Sequence, residues 1–236
     1  MGELTAEKLP RPSSSPKGFV LGGQPRVGKS NLVIRLRDEM KRNLLVINGD
    51  EFRRYHPDFE EIQNRHGKDA PKYTADFSAT MTGMVIEKAL HEGYNISVEG
   101  TFRTAETPLK TLDDIRRHGY ETTVCIHPPS EVSWQSTLER YDAMLAVNEF
   151  PRHTDKAHHD LVTKTLPINA DKVYLSGKAD YFLVYSCEGL LFDSRIHQRY
   201  LPSETIDAEL HRNTRKLAQL ETDITANSHL LSGNRQ

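Results

Sequence analysis

The stretch GFVLGGQPRVGKS, residues 18–30, restricts the fold of this chain more than any other. A short apolar run over 18–22 reads as a buried strand. Gly23, four further residues and then Gly28-Lys29-Ser30 follow. Apolar positions Leu32, Val33, Leu36 and Met40 recur at helical spacing, so the spacing predicts a helix over 29–42. Strand, glycine turn and helix in that order make a phosphate cradle. Glycines let successive backbone N–H groups point at phosphate oxygens, and the helix N-terminus adds partial positive charge. The candidate nucleotide-binding residues are Gly23, Gln24, Pro25, Arg26, Val27, Gly28, Lys29 and Ser30. Lys29 is placed to reach the β- and γ-phosphates of ATP, and the Ser30 hydroxyl to bind Mg²⁺. Arg26 stands where many such loops carry glycine.

The rest of the chain continues the alternation. Strands are expected at 44–48, 94–100, 120–127 and 179–186, with a pairing partner at 189–194. Helices are expected at 75–93, 107–119, 130–146, 155–166 and 203–224, and residues 50–73 read as polar and irregular. Pro108 suits a first helical turn and Gly119 a C-cap. This pattern implies an α/β fold of the P-loop kinase type, with a mostly parallel central sheet and helices on both faces. Residues 1–17 read as a lead-in, 18–202 as the kinase domain and 203–236 as a helical extension.

Thirty-one basic residues against 33 acidic ones leave a net charge of -2, which gives no global attraction to nucleic acid or to an anionic membrane. The first 18 residues lack the apolar core of a signal peptide, and no run approaches membrane-span length. Cys125 and Cys187 both sit in or beside apolar runs and read as reduced, core or near-core residues of a cytoplasmic protein.

In parallel sheets, ligands bind beyond the C-terminal strand ends. Asp50 follows the second strand and Glu99 ends the third. Of two carboxylates there, one can orient Mg²⁺ or its waters and the other can accept a proton from an attacking hydroxyl. Between the fourth and fifth strands, Arg152, Lys156 and Lys164 form a candidate lid that could neutralise charge on a transferred phosphoryl group. His153, His158 and His159 read as surface residues. Trp134, Tyr141 and Met144 read as core.

Taken together, GGQP..GKS (22–30), INGDEFRRYHPDFEEI (47–62), YNISVEGTFRT (94–104), GYETTVCIH (119–127), ERYDAMLA (139–146) and PRHTDKAHHDLVTKTLP (151–167) resemble the zeta toxin family. These are the UDP-N-acetylglucosamine kinases of bacterial type II toxin–antitoxin systems. The resemblance implies transfer of the ATP γ-phosphate to the 3'-hydroxyl of the aminosugar, which blocks peptidoglycan precursor synthesis. It also implies a small helical antitoxin covering the nucleotide site. By the same resemblance Asp50 matches the base. Glu99, Thr101, Arg103 and Thr104 match the segment lining the sugar-nucleotide pocket. Arg152 matches a lid arginine, and Lys164 falls near a second basic lid position. Phe102 replaces the commoner glycine of that segment, which could reshape the acceptor pocket. A kinase with another acceptor, like the chloramphenicol phosphotransferases, and a nucleotide-gated ATPase are the alternative readings.

Overall fold

The computed structural model of the chain describes residues 10–23, 29–128 and 156–212. The phosphate-loop residues 24–28, the expected helix at 130–146 with Trp134, Tyr141 and Met144, and Arg152 and His153 lie outside the described residues. So do the side chains of Lys29, Ser30, Lys156, His158 and His159.

Six strands form one sheet, β1 (Lys17–Gly23), β2 (Leu45–Ile47), β3 (Ile96–Glu99), β4 (Glu121–His127), β5 (Tyr181–Ser186) and β6 (Gly189–Asp193), in the spatial order β2-β3-β1-β4-β5-β6. All neighbours are parallel except β5 and β6, which form an antiparallel hairpin. The mostly parallel α/β architecture expected from the sequence is therefore present.

Period-two alternation along β1 divides the core. Phe19 and Leu21 pack with Leu32, Val33 and Leu36 of α1 (Lys29–Glu39) on one face. Val20 joins Ile96, Val98 and Val124 on the other face, beneath α4 (Ala75–His91), α5 (Glu106–Arg117) and α6 (Lys156–Leu175). Central strands buried on both faces read as continuous apolar runs, which is why 18–22 is legible as a strand, whereas β4 is apolar only over Val124–Ile126 and buries Thr122, Thr123 and His127 as well. Ile206, in the last described helix α7 (202–212), also belongs to the larger core. At the other end, Ser13 N–H donates to the Gly93 carbonyl at 2.9 Å, and Pro12 bridges Tyr94.

Three expectations need correction. The helix expected over 29–42 stops at Glu39, and Lys41 and Arg42 turn out of it with φ of 50° and 64°. The segment 50–73 is not irregular: it forms a 3₁₀ helix Gly49–Tyr55, α2 (Phe59–His66), a 3₁₀ turn Gly67–Asp69 and α3 (Ala70–Tyr73). Its apolar residues are too few to show a period. Local signals favour the helices instead: Glu60 and Glu61 in the first turn of α2, Arg65 and His66 in its last turn, and Pro71 near the start of α3. The helix expected to stop at residue 166 runs through Pro167 to Leu175. Val162, Leu166, Ala170 and Val173 are all fully buried. Packing of that stripe outweighs the hydrogen bond that Pro167 cannot donate.

Candidate active site

The order β2-β3-β1-β4 makes the chain cross over at β1, so the loops after β1, β2 and β3 converge on one end of the sheet. Gly23 closes β1 with φ 127°, a conformation that side chains rarely adopt. A Cβ there would stand 2.1 Å from the His127 carbonyl oxygen. Both observations require glycine where the chain leaves the sheet for the phosphate loop. The described chain resumes at Lys29, the first residue of the 11-residue helix α1.

Asp50 is held by several elements at once. Asn48 caps the 3₁₀ helix by accepting from Asp50 N–H at 3.0 Å. Ser78 of α4 donates to the Gly49 carbonyl at 2.5 Å. The Arg53 guanidinium donates from Nε to Asp50 Oδ1 at 3.0 Å, and from its Nη1 to the Pro71 carbonyl at 2.7 Å and Thr74 Oγ1 at 2.9 Å. Arg53 is the more buried partner, with 16% of its side chain exposed against 35% for Asp50. Burial lowers the guanidinium pKa from its ordinary value. An ion pair tied to two further acceptors keeps its geometry far better than an exposed one. Arg53 was not singled out by sequence reasoning. Its spacing of three from Asp50 is a signal only once a helix is known there.

Glu99 ends β3 in register with Leu21, and Gly100 N–H extends that pairing by donating to the Leu21 carbonyl at 2.8 Å. The chain then turns through Thr101, Phe102 and Arg103. Phe102 has φ 55° and is 2% exposed. A Cβ on Gly22 would lie 2.6 Å from its ring, so the ring rests on the β1 backbone. The expectation that Phe102 could reshape the pocket thus has a definite form: the side chain goes inward, under the sheet edge. Thr104 is hydrogen-bonded to Glu106. That carboxyl is held below its usual range first by its own backbone N–H and next by the Thr104 hydroxyl.

Together these loops enclose a cavity of about 560 Å³. Asp50, Glu99, Thr101, Arg103 and Thr104 all line it, and so do Arg53 and Phe102. The structure therefore brings the acidic and acceptor-segment candidates into one cavity. Lys164 is exposed on α6 and lines neither this cavity nor the smaller one described next. The smaller cavity, about 290 Å³, lies past the ends of β4 and β5. It is lined by Arg35, His127, Tyr185 and Cys187 among others. Arg35 stands over the Tyr185 ring at 5.2 Å. Cys125 is buried, as expected, but Cys187 is exposed, because it begins the β5–β6 turn rather than completing β5. Its Sγ is 3.9 Å from His127 Nε2.

No group of three or more His, Cys, Asp or Glu able to hold a metal ion occurs among the described residues, and no described helix is long and apolar enough to cross a membrane. The larger cavity offers carboxylate and hydroxyl oxygens with no Cys or His in its described lining. That donor chemistry fits a hard cation such as Mg²⁺ and not a structural zinc.

A parallel sheet of this order, with a glycine exit and helix start after β1 and acid-bearing loops after β2 and β3, has the architecture of a P-loop kinase. Comparison with known proteins narrows this class. The family description "Zeta toxin" matches residues 3–197. Toxin zeta of Streptococcus pyogenes is 34% identical over 224 residues, covering 91% of this chain and 78% of that one. Toxin PezT of Streptococcus pneumoniae serotype 4 is 36% identical over 163 residues, covering 68% and 64% respectively. Among solved structures, one from the PezAT chromosomal toxin–antitoxin system of Streptococcus pneumoniae superposes with a TM-score of 0.80. It is 26% identical and covers 95% of this chain and 90% of its own. The AvrRxo1-ORF1:AvrRxo1-ORF2 complex, at 14% identity and a TM-score of 0.53, shares the fold. The chain belongs to the zeta toxin family.

Proposed function

We propose that the protein is the toxin of a toxin–antitoxin pair and acts as a kinase. In this reading it moves the γ-phosphoryl group of ATP to the 3'-hydroxyl of the aminosugar of UDP-N-acetylglucosamine or a related UDP-sugar. The single observation that carries the reading is the wall of the larger cavity, where a carboxylate held by Arg53, on a backbone capped by Asn48, faces the same space as Glu99, Thr101 and Arg103. A volume of about 560 Å³ suits one polar ligand of this size class.

Asp50 orients the acceptor hydroxyl and takes its proton late, as the bond to phosphorus forms. Arg53 holds the Asp50 carboxylate at a fixed angle through the Nε–Oδ1 hydrogen bond. Glu99, Thr101, Arg103 and Thr104 bind the sugar nucleotide. Gly23, Gln24, Pro25, Arg26, Val27 and Gly28 cradle the donor phosphates, with Lys29 on the β- and γ-groups and Ser30 as a metal ligand. Mg²⁺, when bound, neutralises charge on the phosphates. Arg152 contacts the transferred group from the lid, with Lys164 as an auxiliary cation. The smaller cavity, reached past His127 from Gly23, seats the remainder of the donor nucleotide. A small helical antitoxin obstructs the donor site until it is removed, and the free kinase then halts cell-wall precursor synthesis in the cytoplasm.

The test is a phosphotransfer assay with ATP, Mg²⁺ and a panel of UDP-sugars, uridine nucleotides and phenicol or aminoglycoside alcohols, with products identified by mass spectrometry. The expected result is a phosphorylated UDP-aminosugar. Phosphorylation of a drug or nucleoside alone would reject the acceptor. ATP hydrolysis without any phosphorylated product would reject the kinase reading.

A further inference from the structure

Phe102 carries a backbone conformation that glycine accepts without cost and a phenylalanine does not. Such a residue keeps that geometry only where its surroundings over-determine it. Here two features do so. The ring is buried against the Gly22 backbone. The carbonyls of the turn are held from α6 by Asn169, which is 6% exposed and sits on the same helix face as Leu166 and Val173. The Asn169 Nδ2 group donates to the Phe102 carbonyl at 2.9 Å and to the Arg103 carbonyl at 2.8 Å. Only the amide nitrogen can donate to two carbonyls, so the chemistry of the partners fixes the side-chain orientation.

We propose that Asn169 is a positioning residue for the acceptor. Its amide clamps the left-handed turn at Phe102 and thereby sets Thr101, Arg103 and Thr104 along the cavity wall. This inference rests on the acceptor reading of the larger cavity and adds to it a determinant outside the cavity, since Asn169 does not line it. The buried ring and the amide act on the same turn, one through packing on Gly22 and the other through the Phe102 and Arg103 carbonyls. The ring prevents the turn from lifting and the amide prevents it from relaxing to an ordinary φ. A chain with glycine at position 102 needs neither restraint to adopt the turn.

The experiment compares Asn169→Ala, Asn169→Ser and Asn169→Asp with the wild-type chain, with and without Phe102→Gly. Asn169→Ala is expected to raise the KM for UDP-N-acetylglucosamine by about tenfold, the effect of losing two neutral hydrogen bonds. The KM for ATP should stay within about twofold, since both described Asn169 hydrogen bonds go to carbonyls of the acceptor turn. Asn169→Ser, which keeps one donor, should fall between. Asn169→Asp should be at least as impaired as Asn169→Ala, because a carboxylate would face two carbonyl oxygens. In the Phe102→Gly chain the further penalty of Asn169→Ala should shrink to about threefold or less, as expected for coupled neighbours. An unchanged acceptor KM in Asn169→Ala, or an equal rise in both KM values, overturns the proposal. Hydrogen exchange gives an arm that needs no acceptor: amides of residues 101–104 should exchange faster in Asn169→Ala, with the strand amides unchanged. If the wild-type chain phosphorylates no UDP-sugar, the acceptor reading fails. The clamp is then decided by that exchange pattern, and an unchanged rate at 101–104 rejects it.

Discussion

The two cavities at the C-terminal edge of the sheet are built in different ways. The larger is walled by loops locked through side chain–backbone hydrogen bonds, from Asn48 to Asp50, Ser78 to Gly49, Arg53 to Pro71, and Asn169 to Phe102 and Arg103. The smaller is made from strand ends and a hairpin turn, with Arg35 over Tyr185 and Cys187 open to solvent. Its rim is steadied by Arg212 of α7, which donates to Glu188 at 2.7 Å. The contrast matches two different demands. Proton acceptance requires a carboxylate at a set distance and angle, and among the described residues Asn48, Arg53 and Ser78 tie down the segment that carries Asp50. Seating the outer part of a nucleotide requires shape and stacking surface, which a hairpin edge supplies.

This division of labour makes the effects of variants separable. The largest effect is expected for Asp50→Asn, which keeps the Asn48 cap and the fold but removes the base: kcat should fall by ~10²-fold or more with little change in either KM. A kcat close to wild type would remove Asp50 from the chemistry. Arg53→Ala is expected to lower kcat by about tenfold, since one charge-assisted hydrogen bond that orients Asp50 is lost. An effect confined to melting temperature would make Arg53 a purely structural residue.

Gly22→Ala places a methyl group against the Phe102 ring and Ile126. It should cost about 1–3 kcal/mol of stability, the usual range for overpacking. It should also raise the acceptor KM more than the ATP KM, because the displaced ring carries the acceptor loop. Equal changes in both KM values would mean that the two cavities do not act separately. On the smaller side, maleimide should label Cys187 and spare buried Cys125. Burial pushes the Cys125 thiol pKa up as well. ATP should slow that labelling and a UDP-sugar should not; the reverse pattern of protection would exchange the roles of the cavities.

The smallest effect concerns the hairpin that carries this side. Asp193 is buried, and its pKa is lowered chiefly by the Arg195 side-chain hydrogen bond. A depressed folded-state pKa contributes stability above the ordinary aspartate value, and this is lost as pH falls through the folded value. Arg195→Ala should therefore move the acid-unfolding midpoint to higher pH, as read by circular dichroism. An unmoved midpoint would show that the pair contributes nothing to acid stability.

Most of this organisation was legible in the sequence where packing and chemistry coincide. Apolar runs marked the buried strands, and strand-end position alone picked out Asp50 and Glu99 before any contact was known. What escaped depends on contacts between distant segments. Arg53 matters through Pro71 and Thr74, which only the helical path of 49–73 brings near it. Asn169 lies 67 residues from the Phe102 carbonyl it holds and beyond Pro167, the residue at which the sequence pattern stops the helix. The inward turn of Phe102 follows from the space above Gly22, which no local pattern encodes.

The most direct test of the central claim is the mass of the product formed from ATP and UDP-N-acetylglucosamine by the wild-type chain and by Asp50→Asn. The account predicts a UDP-aminosugar carrying one added phosphoryl group with the wild-type chain, and almost none with the variant. An unmodified sugar nucleotide, or equal product from both proteins, would contradict it.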